Sequence, residues 1–202
     1  MMRARDLRKG EYVILEGQPT NGYYVVQCGL ISLHLLSAAG KLQIIRICGD
    51  GDSFGKATLA GDTCYPYNAR ALTKGTVFLV PRERLMELAR KHPETTIQLL
   101  AALSHEMRRL VTLVRDVTLR TAEERFIHWL LANQPDSGES ARYEIQLRYC
   151  KCVLASSLNL TSETLSRTLG KLQRTGNIRV QGKAIVVTDA EKLEQRLVVL
   201  SS

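Results

Sequence analysis

The sequence predicts an α+β chain: a small antiparallel β-roll, one long helix, and a winged helix-turn-helix. Three observations carry that expectation. Glycines crowd the first part of the chain, ten of the fourteen lying at or before Gly75, and they punctuate short β-type runs. From Glu94 to Thr118 there is no glycine or proline, and apolar residues recur at helical spacing. The last third sets two short helical stretches ahead of a glycine-turned hairpin.

A chain of 202 residues is long enough to bury a core in one or two domains. Its 45% apolar and 24% charged composition is that of a folded globular protein. No apolar run approaches the roughly 18 residues of a membrane span, and Met1 to Gly10 is charged rather than signal-like. A cytoplasmic protein with no membrane partner is expected. The formal charge of +8 favours a polyanionic partner, and its distribution sharpens this. Between Arg142 and Lys183 stand eight basic residues (Arg142, Arg148, Lys151, Arg167, Lys171, Arg174, Arg179, Lys183) against Glu144 and Glu163. Such an excess suits a phosphate backbone.

Cys28, Cys48, Cys64, Cys150 and Cys152 are odd in number, which argues against a disulfide framework. Cys150-Lys151-Cys152 is CxC rather than CxxC and has no second pair at ligand spacing, so thiols are expected and no metal site. No Ser/His/Asp set, paired carboxylates or phosphate-cradling glycine loop stands out, and an enzyme is not expected.

Residues 1–93 are expected to form the roll. Its strands are Tyr12 to Leu15, Tyr23 to Gln27, Leu30 to Leu36, Leu42 to Ile47 and Thr76 to Val80, with a turn at Ala39-Gly40-Lys41. A short helix from Arg82 to Lys91 closes it, started by Pro81 and ended by Pro93. Residues 94–118 form the long helix, about 25 residues or roughly 37 Å. Leu99, Leu103, Glu106, Leu110, Leu113 and Val117 make a heptad-like seam, with Glu106 its one blemish. Ile97, Leu100, Ala101, Met107 and Val114 make a second stripe. Two stripes imply two partners, the roll and the same helix of a second subunit, so a homodimer is expected.

Residues 119–202 carry a helix (Ala122 to Ala132), a polar loop (Asn133 to Ser140), a strand (Tyr143 to Leu147) and then the helix pair. The first helix runs from about Cys150 to Leu158. Thr161 or Ser162 caps the second, which runs to about Arg174 and ends at Gly176. Ile178 to Val180 and Ala184 to Val187 pair as the wing across Gln181-Gly182-Lys183. Ala155 is the small residue of the helix crossing, while Leu154, Leu158, Leu160, Leu165, Leu169 and Leu172 are spaced as core. Glu163, Ser166 and Arg167 share one face near the start of the second helix. Arg can bond guanine O6 and N7, Glu can accept from cytosine N4, and Ser can reach a base edge or phosphate. A bare Glu–Arg surface pair is the competing reading of that face, and the preceding helix and following basic wing decide against it. Thr161, Ser162, Glu163, Ser166, Arg167, Lys171 and Lys183 are the candidate contacts to double-stranded DNA.

The chain resembles the Crp/Fnr superfamily of bacterial transcription regulators over almost its whole length. Lys9-Gly10-Glu11-Tyr12, Glu16-Gly17, Gly49-Asp50-Gly51-Asp52-Ser53-Phe54-Gly55 and Ala122-Glu123-Glu124-Arg125 carry the likeness. It is most specific from Leu154-Ala155 through Ser162-Glu163-Thr164-Leu165-Ser166-Arg167-Thr168-Leu169-Gly170-Lys171-Leu172. The resemblance implies a cyclic-nucleotide-binding-type β-roll as sensor, a dimerisation helix, a hinge at Thr118 to Thr121, and RNA polymerase as a protein partner. A sensing module acting through protein contacts is the alternative.

Two departures shape what carries over. Members that bind cyclic AMP follow Phe-Gly with a Glu for the ribose and place Arg-Ser some ten residues on for the phosphate. Here those positions read Lys56 and Tyr65-Pro66-Tyr67-Asn68, so cyclic AMP is not expected. Phe54, Gly55, Lys56, Tyr67, Asn68 and Arg70 are the candidate effector pocket. Oxygen sensors of the family carry an amino-terminal cysteine cluster, absent here, so no iron–sulfur centre is expected. The chain also starts almost at the first roll strand, without the usual leading helix, which suggests a shortened form or a truncated reading frame. Asp62-Thr63 through Tyr67-Asn68-Ala69-Arg70-Ala71 resembles the Fnr/denitrification-regulator branch, whose haem would look for His34, His92 or His105. Within the family, readers of TGTGA-type half-sites have Arg-Glu at the start of the recognition helix. Readers of TTGAT-type half-sites lack that Arg and carry Glu-x-x-Ser-Arg, as in Ser162-Glu163 and Ser166-Arg167 here.

Overall fold

Glycine-bounded alternation over the first eighty residues becomes eight short strands in the computed structural model of the protein, which describes residues 3–38, 40–56, 63–135 and 141–200. The strands are β1 (Arg3–Leu7), β2 (Tyr12–Ile14), β3 (Gly22–Cys28), β4 (Ile31–Leu36), β5 (Leu42–Cys48), β6 (Ser53–Phe54), β7 (Asn68–Ala71) and β8 (Gly75–Pro81). They form two antiparallel sheets, ordered β1-β8-β3-β6 and β2-β7-β4-β5. Period-two burial shows why. Tyr24 and Val26 of β3, Ile31 and Leu33 of β4, and Val77 of β8 point into one shared core with Leu7, Ile14, Cys48, Phe54 and Ala69. Gly22 permits a close approach of strands: its φ is +149°, and a Cβ there would lie 2.2 Å from the Val80 carbonyl oxygen. The turn expected at Ala39, the Asp62 end of the branch-like stretch, and residues 136–140 of the polar loop fall outside the described residues.

Three strands carry no sequence expectation. β1 is Arg-Ala-Arg-Asp-Leu with only Leu7 buried, β6 has two residues, and β7 is Asn-Ala-Arg-Ala. β1 and β7 lack the branched and aromatic content that marks a strand, and β6 is too short to show a period. Two helices follow the roll, α1 (Arg82–Lys91) and α2 (Pro93–Leu119). Pro93 breaks the chain for one residue only, then takes the first position of α2, where its missing N–H costs nothing.

The chain divides into two compact units, Met1–Val111 and Thr112–Ser202. The second has its own core, in which Phe126, Ile127, Leu130, Leu154, Leu165, Leu172, Ile178, Ile185 and Leu193 are at most 1% exposed. Its elements are α3 (Ala122–Ala132), β9 (Tyr143–Gln146), α4 (Lys151–Ser157), α5 (Ser162–Arg174), β10 (Ile178–Gln181), β11 (Ala184–Val187) and α6 (Ala190–Leu200). The strands form one sheet, β10-β11-β9, so the wing is three-stranded. α6 is not anticipated above, although Leu193, Leu197 and Leu200 sit at i, i+4 and i+7 and pack on this core.

One expectation about sulfur is corrected. Cys28, Cys48 and Cys64 are free thiols, but Cys150 and Cys152 are joined in a disulfide. Their Cα atoms are 5.3 Å apart, within the span a disulfide bridges. Among the described residues no group of His, Cys, Asp and Glu is arranged to hold a metal, and no helix is long and apolar enough to cross a membrane.

Candidate functional site

α3 builds the helix-turn-helix from behind. Thr121 caps it in a reciprocal box: its hydroxyl accepts from the Glu124 N–H, and Glu124 Oε2 accepts from the Thr121 N–H at 2.7 Å. Arg125 then reaches across to the turn between α4 and α5. Its Nη1 donates to the Leu158 and Asn159 carbonyls at 2.9 and 3.0 Å. That turn is a Schellman motif: the Leu160 N–H bonds the Ala155 carbonyl, the Asn159 N–H bonds that of Ser156, and Asn159 takes φ +53°. Ala155, 1% exposed, sits at the crossing.

Thr161 is the N-cap of α5, accepting from the Thr164 N–H at 3.1 Å. Leu165, Thr168, Leu169 and Leu172 are buried, which turns Ser162, Glu163, Ser166 and Arg167 outward. At 100° per residue Gly170 and Arg174 extend the same face. α5 ends in a second Schellman cap, with Gly176 at φ +72° and the Asn177 N–H bonded to the Leu172 carbonyl. The wing then turns through Gly182 and Lys183. Lys183 is exposed, and its carbonyl accepts from the Leu147 N–H at 2.9 Å, which ties the wing tip to β9.

Electrostatics separate the candidate contacts. The Arg167 guanidinium lies 3.8 Å from Glu163 with both side chains more than two-thirds exposed, a weak pair that leaves it available. Lys171 is committed elsewhere, since its Nζ is 2.6 Å from Glu123 Oε2. Arg196 of α6 bonds the other oxygen of Glu123. Burial alone would raise the Glu123 pKa, but the Lys171 and Arg196 bonds outweigh it and hold the carboxyl below its usual range. Glu123 therefore joins α3, α5 and α6, a role for the Ala122-Glu123-Glu124-Arg125 motif that its residue types alone did not disclose.

The first unit holds a cavity of about 320 Å³ between the roll and α2. Four of the six candidate pocket residues line it: Phe54, Gly55, Lys56 and Tyr67. The Tyr67 hydroxyl accepts from the Gly55 N–H at 2.8 Å, and burial pushes its pKa up to about 12. Asn68 and Arg70 do not line it. Ala69 and Ala71 of β7 face the core, so the strand's period of two turns their neighbours to the other face. There Asn68 Oδ1 accepts from the Glu16 N–H at 3.1 Å, and Arg70 stacks over Tyr12 while its Nε donates to the Gly10 carbonyl.

The rest of the wall includes Leu33, Ile45 and Pro66 from the roll and Leu103, Glu106 and Leu110 from α2. Glu106, the blemish in the seam, bonds Arg46 at 2.8 Å, and Arg46 also bonds Asp52 at 2.7 Å. The Leu103–Glu106–Leu110 stripe therefore faces the roll. The second stripe is left uncovered: Ile97, Leu100, Met107 and Val114 are all at least 60% exposed and Ala101 is exposed with them, and Val111, outside that stripe as read from the sequence, is equally bare.

Residues 4–92 match the family described as the cyclic nucleotide-binding domain, and residues 124–196 match the Crp-like helix-turn-helix domain. The anaerobic regulatory protein of Haemophilus influenzae is 32% identical, over 95% of this chain and 75% of that protein. Its namesake in Pasteurella multocida is 31% identical, over 93% of this chain and 69% of that one. The structure of FixK2 from Bradyrhizobium japonicum superposes with a TM-score of 0.84 at 26% identity, covering 100% of this chain and 98% of that one. The chain belongs to the Crp/Fnr family. It is a DNA-binding transcription regulator, and its α5 occupies the recognition-helix position of the family's helix-turn-helix.

Membership does not make the cavity a cyclic nucleotide site. After Phe54-Gly55 stands Lys56, and the carboxylate that lines the wall, Glu106, is already bonded to Arg46. Nor does this Crp/Fnr chain gather its candidate haem ligands. His34 is fully buried in β4, and burial lowers its pKa. His92 pairs with Glu94, His105 is exposed on α2, and none of the three lines the cavity.

Proposed function

We propose that this regulator acts as a homodimer that reads an inverted repeat of TTGAT-type half-sites, under the control of an effector held in the roll cavity. The observation that carries the DNA reading is the outward face of α5. Glu163, Ser166 and Arg167 stand together on it, near a capped helix start, with the only ion pair among them long and exposed. Arg167 reads guanine, Glu163 accepts from cytosine, and Ser162 and Ser166 reach base edges or phosphate. Lys183 on the wing takes phosphate. Thr161 and Lys171 support α5, as N-cap and as partner of Glu123, rather than reading sequence.

Dimerisation falls to the uncovered stripe of α2, whose spacing of three, seven, four and three residues from Ile97 to Val114 is that of a helix–helix seam. The effector acts by binding the DNA-competent arrangement better than the other, through the short connection of Arg120 and Thr121 between α2 and α3. The function is one of binding rather than catalysis, in the cytoplasm, with RNA polymerase as the further protein partner. Selection of bound sequences from random duplex DNA tests this reading: an enriched inverted repeat supports it, and enrichment of single unpaired half-sites overturns it.

A further inference from the structure

Glycine in the interior of a helix costs stability relative to alanine, because it gives up more backbone freedom on folding. α5 nevertheless carries Gly170 at its ninth position, with a full turn of helix still to follow. It is no C-cap, a role that Gly176 fills. Nine of the described glycines have positive φ, and a Cβ at Gly49 or Gly75 would meet a neighbour within 4 Å. Among the described glycines Gly170 alone has neither a positive φ nor any atom within 4 Å of where its Cβ would stand. The fold therefore has no use for the missing side chain.

The place of Gly170 on the helix supplies a use. Leu165, Leu169 and Leu172 fix the buried side of α5. At 100° per residue Gly170 points away from them, between the directions of Ser166 and Arg167 and one turn further on. Arg174 follows on the same face, exposed and with no ion pair among the described residues. The 13 residues of α5 make a rod about 20 Å long, whereas the major groove is about 12 Å wide. In this motif the amino-terminal end of the helix enters the groove, so about eight residues fit before the helix passes the sugar–phosphate wall. The ninth is Gly170.

Given the base-reading role proposed for this face, we infer that Gly170 is the point at which the α5 backbone passes the phosphate wall of the major groove, and that its missing side chain sets how deep the helix sits. Glu163, Ser166 and Arg167 all lie on the groove side of that point, so the depth allowed at Gly170 decides whether they reach base edges. Arg174, beyond the wall, takes a phosphate. Gly170 is thus a positioning residue, acting through the readers rather than touching a base. A non-specific complex, held by charge to the backbone, does not seat the helix and does not need the glycine.

Gly170→Ala and Gly170→Leu in the full chain test this, because stability and specificity should move in opposite directions. Melting is followed through Trp129, the only tryptophan, which packs on the core of the second unit. The Ala variant should melt about 2–8 °C higher, since helix propensity improves and the added methyl meets nothing. Its affinity for the duplex enriched by selection should nevertheless fall about tenfold, the scale of one lost base-pair contact, while a scrambled duplex stays within about twofold. Gly170→Leu should lose more than Gly170→Ala on the selected duplex. Arg174→Ala should weaken both duplexes alike and flatten the salt dependence by roughly one unit of slope. A higher melting temperature with the ratio of the two affinities unchanged overturns the inference. So does a lower melting temperature, which would make the glycine structural, or an equal loss on both duplexes. Arg167→Ala on the same duplexes separates this inference from the reading it rests on. If Arg167→Ala collapses the ratio and Gly170→Ala does not, base reading by α5 stands and the depth role falls. If Gly170→Ala collapses it and Arg167→Ala does not, the depth role stands and the assignment of Arg167 falls.

Discussion

Arg167 shows how exposure decides between two uses of one side chain. At 3.8 Å from Glu163 in open solvent, the pair stabilises α5 by a few tenths of a kcal/mol at most. A bidentate contact to guanine contributes about 1–3 kcal/mol of discrimination. Arg167→Ala should therefore leave the melting temperature almost unchanged, weaken binding to the selected site by about 1–3 kcal/mol, and relax preference at the guanine. A uniform loss across all duplexes would make Arg167 a phosphate contact instead. Ser162→Arg should shift preference toward TGTGA-type half-sites, which a competition between the two duplexes would register.

Glu123 makes the opposite case, a charge fixed by structure. Its native pKa is lowered, so its contribution is present above the unfolded carboxyl range and is lost as pH falls through the native value. Glu123→Gln should destabilise the second unit at pH 7, and the gap from the unsubstituted chain should close below about pH 4. A gap that stays constant with pH would mean that the Lys171 and Arg196 pairs contribute little.

Among the elements, α2 through α5 were legible because each signal is local. Thr121 with Glu124, Thr161 with Leu165, Leu169 and Leu172, and Gly176 are all caps or periods read within one stretch of chain. β1, β6 and β7 were not legible because their stability comes from partners distant in sequence, as in the pairing of Arg3 with Leu79. The same limit explains the pocket. Lys56 and Tyr67 could be named from their place in the chain, but whether Asn68 or its neighbour faces inward depends on the sheet. Arg46 was invisible without Glu106.

For α2, periodicity revealed two stripes but not which partner each takes, and Glu106 bonded to Arg46 assigns the seam of Leu103 and Leu110 to the roll. Charges meant to block dimerisation therefore belong at Met107 and Val111 rather than at Leu110. Met107→Glu with Val111→Glu should give monomers by sedimentation with the fold retained. Leu110→Glu should instead perturb the cavity wall. An unchanged dimer in the first variant would mean that α2 is not the interface.

At the scale of the whole molecule, symmetry and charge act together. The proposed two-fold dimer would present two α5 helices, so the site expected for it is an inverted repeat, TTGAT and ATCAA, with half-site centres about one helical turn, roughly 10 bp, apart. One half-site alone offers few base contacts, and affinity then depends on both halves being held in one particle. Much of that affinity is backbone attraction, for which the chain's +8 charge is suited, and each phosphate contact adds about 0.9 to the slope of log affinity against log salt. Lys183→Ala should thus weaken binding to every duplex alike and flatten that slope by roughly one unit. Arg167→Ala, by contrast, should lower affinity for the selected site while its preference at one base collapses. Measuring both variants on the selected and a scrambled duplex, from about 50 to 200 mM salt, separates the two roles. If Lys183→Ala left the slope unchanged, the wing would not touch the backbone, and the assignment of Lys183 would fall while that of α5 stood.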